Sequence, residues 1–374
     1  MRIGLDAKRA FFNSRGLGNY SRGLITSLSK YYPEEDFLLY SPENKNPIAF
    51  ERGENCTLHH PTHFPWTSFP ALWRSYGCVS DLKKEGVELY HGLSHELPIG
   101  IEKTDIKTVV TMHDVIFLKH PEWFPLFDRY MFKKKYVDSC KRADVVVAIS
   151  ELTKNDIVET IGVDASKIKV VYQGCNAVFQ NVCSSEEKEA VRQRYGLPTD
   201  FLITVCAIEE RKNHKCIIKA LTQMKNDIHY VIVGRESKFK QELVNYANEL
   251  GVANRVLFLH DIPTTTLPAL LQMAKAFVFP SFYEGFGIPI IESQTSSLPT
   301  IISRASCFSE VGREGSLYAD PNNSEEWATV IDNLLEHESL QHELIAKGKE
   351  NIKRFSDSQI ADDMMSVYKL TRQL

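Results

Sequence analysis

Residues 276–303 read AFVFPSFYEGFGIPIIESQTSSLPTIIS, and how this stretch is read decides the fold. AFVFP and PTIIS are short apolar runs rich in β-branched and aromatic residues. Each is bounded by turn chemistry, so both read as buried strands. Between them a Gly285-Phe286-Gly287 turn leads to Pro289, and a short helix must begin near Gly287 or Ile288. Proline suits the first helical position, and the two glycines let the backbone come close to a ligand. The unit is therefore strand, glycine turn, helix, strand. The amino end of such a helix carries free N–H groups and a partial positive charge, which attract anions and phosphates above all. Two carboxylates bracket that end, Glu284 before the turn and Glu292 about one helical turn further in. A phosphate-accepting end flanked by carboxylates suits a ligand with both a diphosphate and vicinal hydroxyls, as in a nucleotide sugar. The plainer alternative is that Glu292 faces water and the glycines only pack helix on sheet.

The segment EGFGIPIIE (284–292) resembles the signature of glycosyltransferase family 4, two glutamates separated by seven residues around a GFG turn. Nearly the whole chain follows that family's order of motifs. The resemblance implies the GT-B fold, an α/β architecture of two doubly wound Rossmann-like domains with parallel sheets facing across a cleft. It also implies a nucleotide-sugar donor, retention of anomeric configuration and no metal.

The composition sets bounds without reference to any relative. A chain of 374 residues is long enough for two domains, each with its own core. Hydrophobic content of 43% and charged content of 25% place it among ordinary globular proteins. A formal net charge of −4 offers no bulk attraction to nucleic acid, so no nucleic-acid partner is expected. The eight cysteines include no Cys-x-x-Cys pair, and several lie in apolar runs. They read as reduced thiols of a cytosolic protein and not as a disulfide or zinc framework. MRIGLD at the amino terminus reads as a strand and not as a signal peptide. No run approaches the roughly 18 apolar residues of a spanning helix, so any membrane contact is expected to be peripheral, at the inner face.

Strand-like runs at 2–6, 37–40, 87–91, 108–112 and 144–149 alternate with amphipathic stretches, and the pattern repeats at 201–207, 230–233, 256–259, 276–280 and 300–303. Such alternation predicts parallel sheets with helices on both faces. Two series predict two doubly wound domains, since a single sheet of that size is unusual. The polar, aperiodic run QGCNAVFQNVCSSEE (173–187) holds the break. The expected domains are 1–178, on the acceptor side and completed by a carboxyl-terminal helix at 356–374, and 179–355, which binds the nucleotide sugar.

Ligands of open α/β sheets bind at the carboxyl ends of strands, which directs attention to the loops there. The loop 7–23 carries Gly16 and Gly18 ahead of a helix expected from Tyr20 to Lys30. Its glycines come too long after the strand for a Rossmann turn, and the third glycine position is Ser21. It resembles the family's GxGxY loop near the donor diphosphate and acceptor; a purely structural role is equally open. His113 and Asp114 follow the run TVVTM, and TMHDVIFLKHPEWF resembles the family's T-x-H-D…P-E segment. That resemblance implies that His113 positions the donor sugar. His91 and His95 follow another strand and read as ordinary loop histidines, with an acceptor-side role as the alternative. Arg211 and Lys212 follow the strand that ends near Ala207, where a planar fork and a point charge can hold a diphosphate. EERKN (209–213) resembles the family's E-P-R-K-N, with Glu210 in place of proline and Cys206 in place of a glycine. Glu210 would set a carboxylate beside Arg211. Gly234-Arg235 ends a further strand, and in relatives that loop borders the nucleotide base. Gln173 and Asn176 stand where the family usually has Asn and Asp, and Ser309, Glu310 and Val311 also follow the family's order.

The segments 64–77 and 123–142 crowd aromatic with basic residues. Amphipathic helices packed on the sheet account for both. The second reading is a face for an anionic membrane surface, with Lys133, Lys134 and Lys135 beside Phe132 and Tyr136.

The reaction expected from these residues is transfer of a hexose to a hydroxyl of a saccharide or lipid-linked saccharide acceptor. GDP-mannose is mildly favoured as donor over a UDP-sugar. No Asp-x-Asp pair exists to hold Mg²⁺. Arg211, Lys212 and the helix end at Gly287 would therefore meet the leaving charge, with no cofactor and no metal. Glu292 would accept from the ribose hydroxyls. Glu284 and the backbone of Gly285, Phe286, Gly287 and Ile288 would meet the sugar. The catalytic set is thus His113, Glu284, Lys212 and Arg211. Rival readings are a GT-B epimerase, a phosphorylase, a nucleotide-binding protein without transferase activity, and a dehydrogenase.

Overall fold

The structure is a computed structural model and describes residues 1–43 and 47–374. The chain divides into two compact units, Met1–Gly174 together with Phe355–Leu374, and Cys175–Arg354. The divisions fall at 174/175 and 354/355, where the sequence reading put them at 178/179 and 355/356.

The first unit is built on seven strands, β1 (Arg2–Asp6), β2 (Asp36–Tyr40), β3 (Cys56–His59), β4 (Leu89–Gly92), β5 (Lys107–Met112), β6 (Val145–Ala148) and β7 (Ile168–Val170). They lie in the order β3-β2-β1-β4-β5-β6-β7, every pair parallel. Side chains alternate across a strand, so each central run feeds two cores. Ile3, Leu5, Phe37, Leu39, Leu89, Val109, Val145 and Val147 face one layer of helices. Leu38, Tyr40, Tyr90, Val110, Met112, Val146 and Ala148 face the other. The helix Asp357–Arg372, capped by Ser356, closes the first layer with Ile360, Met364, Met365 and Tyr368.

The second unit holds six parallel strands, β8 (Phe201–Val205), β9 (His229–Val233), β10 (Val256–Leu259), β11 (Ala276–Phe279), β12 (Thr300–Ser303) and β13 (Ser316–Ala319), in the order β10-β9-β8-β11-β12-β13. Helix starts are set by local chemistry. Ser184 and Glu187 form a capping box for Ser185–Tyr195, and Asn323 accepts from the Glu325 and Glu326 amides to start Ser324–Glu336. Trp327 is fully buried between that helix and the sheet.

Three strands, β3, β7 and β13, were not expected from the sequence, and all three are sheet edges. An edge strand is covered less than a central one. Here CTLH is mostly half-buried, and IKV and SLYA are only partly buried, so none presents the continuous apolar run that marks β5 or β11.

In the first unit, His91 Nδ1 and the Tyr368 hydroxyl meet at 2.7 Å, and His91 Nε2 meets the Thr111 hydroxyl at 2.8 Å, all buried. Replacing Tyr368 by Phe strands a buried ring nitrogen at a cost of about 1–3 kcal/mol. The expected result is a fall of several degrees in Tm by calorimetry; an unchanged Tm would show that the carboxyl-terminal helix is held by its apolar contacts alone.

Candidate functional site

The glycine turn of the second unit is held from several directions. Gly287 has φ of +106°, a left-handed conformation, and precedes the helix Ile288–Thr295. Pro289 takes the second helical position instead of the first. The Phe286 side chain is buried, and its carbonyl accepts from the Cys307 thiol at 2.9 Å. Ser306 Oγ accepts from the Glu284 N–H and donates to the Glu284 carbonyl, both at 2.9 Å.

Arg211 and Lys212 arrive at the same place from the turn after β8. Asn213, with φ of +56°, donates its side-chain amide to the Pro280 carbonyl at 3.1 Å and the Pro321 carbonyl at 2.7 Å. The Phe282 N–H donates to the Arg211 carbonyl at 2.9 Å. These bonds dock the basic turn onto the end of β11. Both cations then converge on Glu284. The Lys212 ammonium pairs with Glu284 Oε1, and Arg211 Nη1 donates to Glu284 Oε2 at 2.8 Å and to the Tyr283 carbonyl at 2.9 Å. Ser281 Oγ donates to Glu284 Oε1 at 2.9 Å. Burial would push the Glu284 carboxyl up, but Lys212 and Arg211 outweigh it and hold it down to about 2. The carboxylate beside Arg211 is Glu209, at 2.7 Å, and not Glu210, which is exposed.

Glu292 lies in the opposite environment. It is half-buried, and among the described residues its carboxyl has no hydrogen-bond or ion-pair partner. Burial pushes it up to about 8. It neither caps its helix nor lies fully open to water. Gly234 follows β9, where a Cβ would come within 2.2 Å of the Cys206 carbonyl oxygen, so the close approach of the segment after β8 requires a glycine there.

Gly16, Gly18 and His113 belong to the first unit. The two glycines are not in a loop. They open the helix Gly16–Tyr31, which starts earlier than the expected Tyr20. A Cβ on Gly18 would fall 1.6 Å from the Asn13 carbonyl oxygen, whereas one on Gly16 would meet nothing. Gly18 thus serves the close approach of the helix to the preceding turn. His113 is buried at the end of β5, edge-on to Tyr20 with ring centroids 4.5 Å apart. Its Nε2 lies 2.9 Å from the Leu93 carbonyl, which can only accept, so the proton is on Nε2 and Nδ1 faces the Gln173 amide nitrogen at 3.4 Å. Burial lowers His113 to about 4, only partly opposed by the Leu93 carbonyl, and it stays neutral. Gln173, the departure from the family pattern, therefore orients the histidine. His91 is a core residue, and His95 stacks on Tyr136 at 4.2 Å. Asp114 accepts from the Ile116 N–H at 3.2 Å.

Phe132 and Tyr136 turn inward onto Phe117, with centroids 5.7 and 5.3 Å away, so they do not share a face with the lysines. The exposed positions of the helix Leu126–Arg142 include Leu126, Phe127, Tyr130, Lys133 and Lys134. Lys135 reaches Glu96 at 3.4 Å. Ser281, Ser306 and Asn213, which fix the Glu284 centre, were not singled out as site residues from the sequence. Only Asn213 carries a signal, its place in R-K-N.

A family model for Glycosyltransferase Family 4 matches residues 16–178, and one for Glycosyl transferases group 1 matches residues 187–351. The chain belongs to glycosyltransferase family 4, group 1. The transferase is 28% identical over 291 residues to O-antigen chain mannosyltransferase B of Escherichia coli, a match covering 75% of this chain and 74% of that protein. It is 29% identical over 242 residues to O-antigen chain mannosyltransferase RfbU of Salmonella typhimurium, covering 64% of this chain and 63% of that one, less than two thirds of its length. Its structure matches that of Anabaena HepE in complex with UDP-glucose with a TM-score of 0.74 and 18% identity, over 99% of each chain, a likeness of fold. The fold is GT-B. Among the described residues of the transferase, no three His, Cys, Asp or Glu side chains could hold a metal ion, and no helix is long and apolar enough to cross a membrane.

Two outcomes follow for the glutamates. Glu284→Ala leaves a buried ammonium and a guanidinium without their shared counter-ion, at a cost of roughly 3 kcal/mol. Its Tm should fall, and inorganic diphosphate should stabilise it by more degrees than it does the parent protein; equal shifts would mean that diphosphate does not meet these cations. For Glu292 the folded protein holds a proton up to about pH 8, while the unfolded chain loses it near 4.5. Its contribution to stability therefore declines as pH rises through that window. Between pH 5 and 8 the parent should lose roughly 3 kcal/mol relative to Glu292→Gln in urea unfolding, and parallel pH curves would place Glu292 in water.

Proposed function

We propose that the transferase moves a hexose, with retention and without a metal, from a nucleoside-diphosphate sugar to a hydroxyl of a saccharide or lipid-linked saccharide. The observation that carries this reading is the convergence of Arg211 and Lys212 on one buried carboxylate at the end of β11, with the partnerless Glu292 on the helix that follows. A diphosphate is the ligand that can replace a carboxylate between two such cations. Once displaced, Glu284 is a charged acceptor for sugar hydroxyls, and Glu292 can accept from the vicinal hydroxyls of a ribose. GDP-mannose is the favoured donor because the relatives named above are mannosyltransferases; a UDP-sugar is the alternative, since HepE was solved with UDP-glucose.

No side chain of the site is set up as a covalent nucleophile. Retention then takes a front-face course. The bond from the anomeric carbon to the phosphate oxygen breaks, the acceptor oxygen bonds to that carbon on the same face, and the acceptor proton passes to the departing phosphate. Arg211 and Lys212 meet the charge that grows there, and fixed charges need no rearrangement to do so. His113, neutral and oriented by Leu93 and Gln173, can offer one sugar hydroxyl a partner without adding charge.

Thermal stabilisation by GDP, UDP and their mannose and glucose conjugates tests the donor. GDP-mannose should raise Tm most, and should do so equally after EDTA treatment. Stabilisation by NAD alone, or a loss with EDTA that Mg²⁺ restores, would overturn the reading.

An anionic lipid surface is proposed as a peripheral partner of the first unit, supported by three large apolar side chains and two lysines at the exposed positions Leu126, Phe127, Tyr130, Lys133 and Lys134. Flotation with phosphatidylglycerol vesicles at low salt should carry the parent protein and leave Phe127→Ala/Tyr130→Ala behind. Equal flotation of both would remove this face from consideration.

A further inference from the structure

At the carboxyl end of β1 the chain places two cations in succession, Lys8 and Arg9, both half-buried, on the short helix Lys8–Phe12. The carboxylate nearest in sequence, Asp6, is already taken. Arg74 holds it with three contacts, Nε at 3.1 and 3.2 Å and Nη2 at 2.5 Å. Arg74 also donates to one oxygen of Glu96 at 2.8 Å, and Lys135 reaches the other at 3.4 Å. Asp114 accepts from a backbone amide. Among the described residues, neither Lys8 nor Arg9 forms an ion pair or a side-chain hydrogen bond. Two partly desolvated cations without counter-ions are a standing cost to the fold, unlike exposed lysines that water solvates fully.

Their surroundings are those of a site. β1 pairs with β4, so the turn after Asp6 lies beside the segment 93–96 that carries His95 and supplies the Leu93 carbonyl to His113. His95 and His113 lie 5.1 Å apart between centroids, both buried and neutral, and the Arg9 charge helps to keep them so. The neighbouring acids are in contact with Arg74 and Lys135 and the neighbouring imidazoles are uncharged; Asp6 and Glu96 act on Lys8 only through space, against the opposing charges of Arg74 and Arg9.

We infer that Lys8 and Arg9 form an anion subsite that takes a phosphate group of the acceptor substrate beside His113. The inference rests on the proposed reading in which Arg211 and Lys212 serve the donor diphosphate and the first unit takes the acceptor. An acceptor carried on a phosphate-linked lipid brings such a group with it. A free sugar phosphate shares the chemistry, and a lipid phosphate and a soluble sugar phosphate can be compared as acceptors.

The test is calorimetric titration of the full chain with inorganic phosphate at fixed ionic strength, with and without saturating GDP or UDP. Phosphate should bind in both conditions. Lys8→Gln/Arg9→Gln should weaken it about tenfold or more, leave nucleoside diphosphate affinity within about twofold, and leave Tm unchanged or higher. Phosphate affinity unchanged in that variant overturns the inference. So does phosphate binding that disappears in Arg211→Gln or under saturating nucleoside diphosphate, which would assign it to the donor site. A parallel loss of nucleoside diphosphate affinity in Lys8→Gln/Arg9→Gln would give the two cations to the donor, and a fall of many degrees in Tm would make them structural. Failure of the donor reading shows separately, as absence of nucleoside diphosphate binding in the parent.

Discussion

A carboxylate withdrawn from water has to be compensated where it stands, and the compensation of Glu284 organises the second unit around it. Burial alone would protonate it; two cations and a serine hydroxyl keep it charged. Neither cation reaches it by chance. Asn213 adopts a left-handed backbone so that its amide can bridge Pro280 and Pro321, and this ties the basic turn to the segments that follow β11 and β13. Ser306 pins the Glu284 backbone from the turn after β12. Four separate segments are thus held together by one charge balance, and a ligand that enters it must be an anion able to replace a carboxylate.

The two glutamates of one short motif show how far environment outweighs residue type. Glu284 is held down to about 2 by its cations, and Glu292 is pushed up to about 8 by burial without a partner. The first is already spent on an internal pair in the resting protein. The second has no partner among the described residues, so burial alone sets its protonation. The same contrast holds in the first unit, where Asp6 is saturated by Arg74 while Lys8 and Arg9 go without.

Much of this was legible in the residues. Central strands announce themselves because both faces are covered, the glycine turn with Glu284 and Glu292 stands out by spacing, and Arg211 and Lys212 stand out by resemblance to the family's E-P-R-K-N segment. What escaped has physical causes. The three unforeseen strands are edges, whose half-covered side chains need not be apolar. Gly16 and Gly18 suggested a ligand loop, but the demand on Gly18 comes from the Asn13 carbonyl, a contact between residues that no local pattern records. Glu210 drew attention because it breaks a motif, yet the turn directs Glu209 at Arg211. Phe132 and Tyr136 lie beside lysines in sequence but point the other way around the helix, since neighbours along a helix do not share a face.

The chain enters the second unit after Gly174 and leaves it again at Arg354, so the first unit is discontinuous and the second is not. During synthesis, residues 175–354 can complete their own core while the earlier residues still lack Met364, Met365 and Tyr368. His91 and the apolar layer around β1 wait for Phe355–Leu374 to leave the ribosome. Synthesis interrupted before residue 355 would thus leave a nascent chain whose second unit is finished while its first unit stays open and dependent on chaperones.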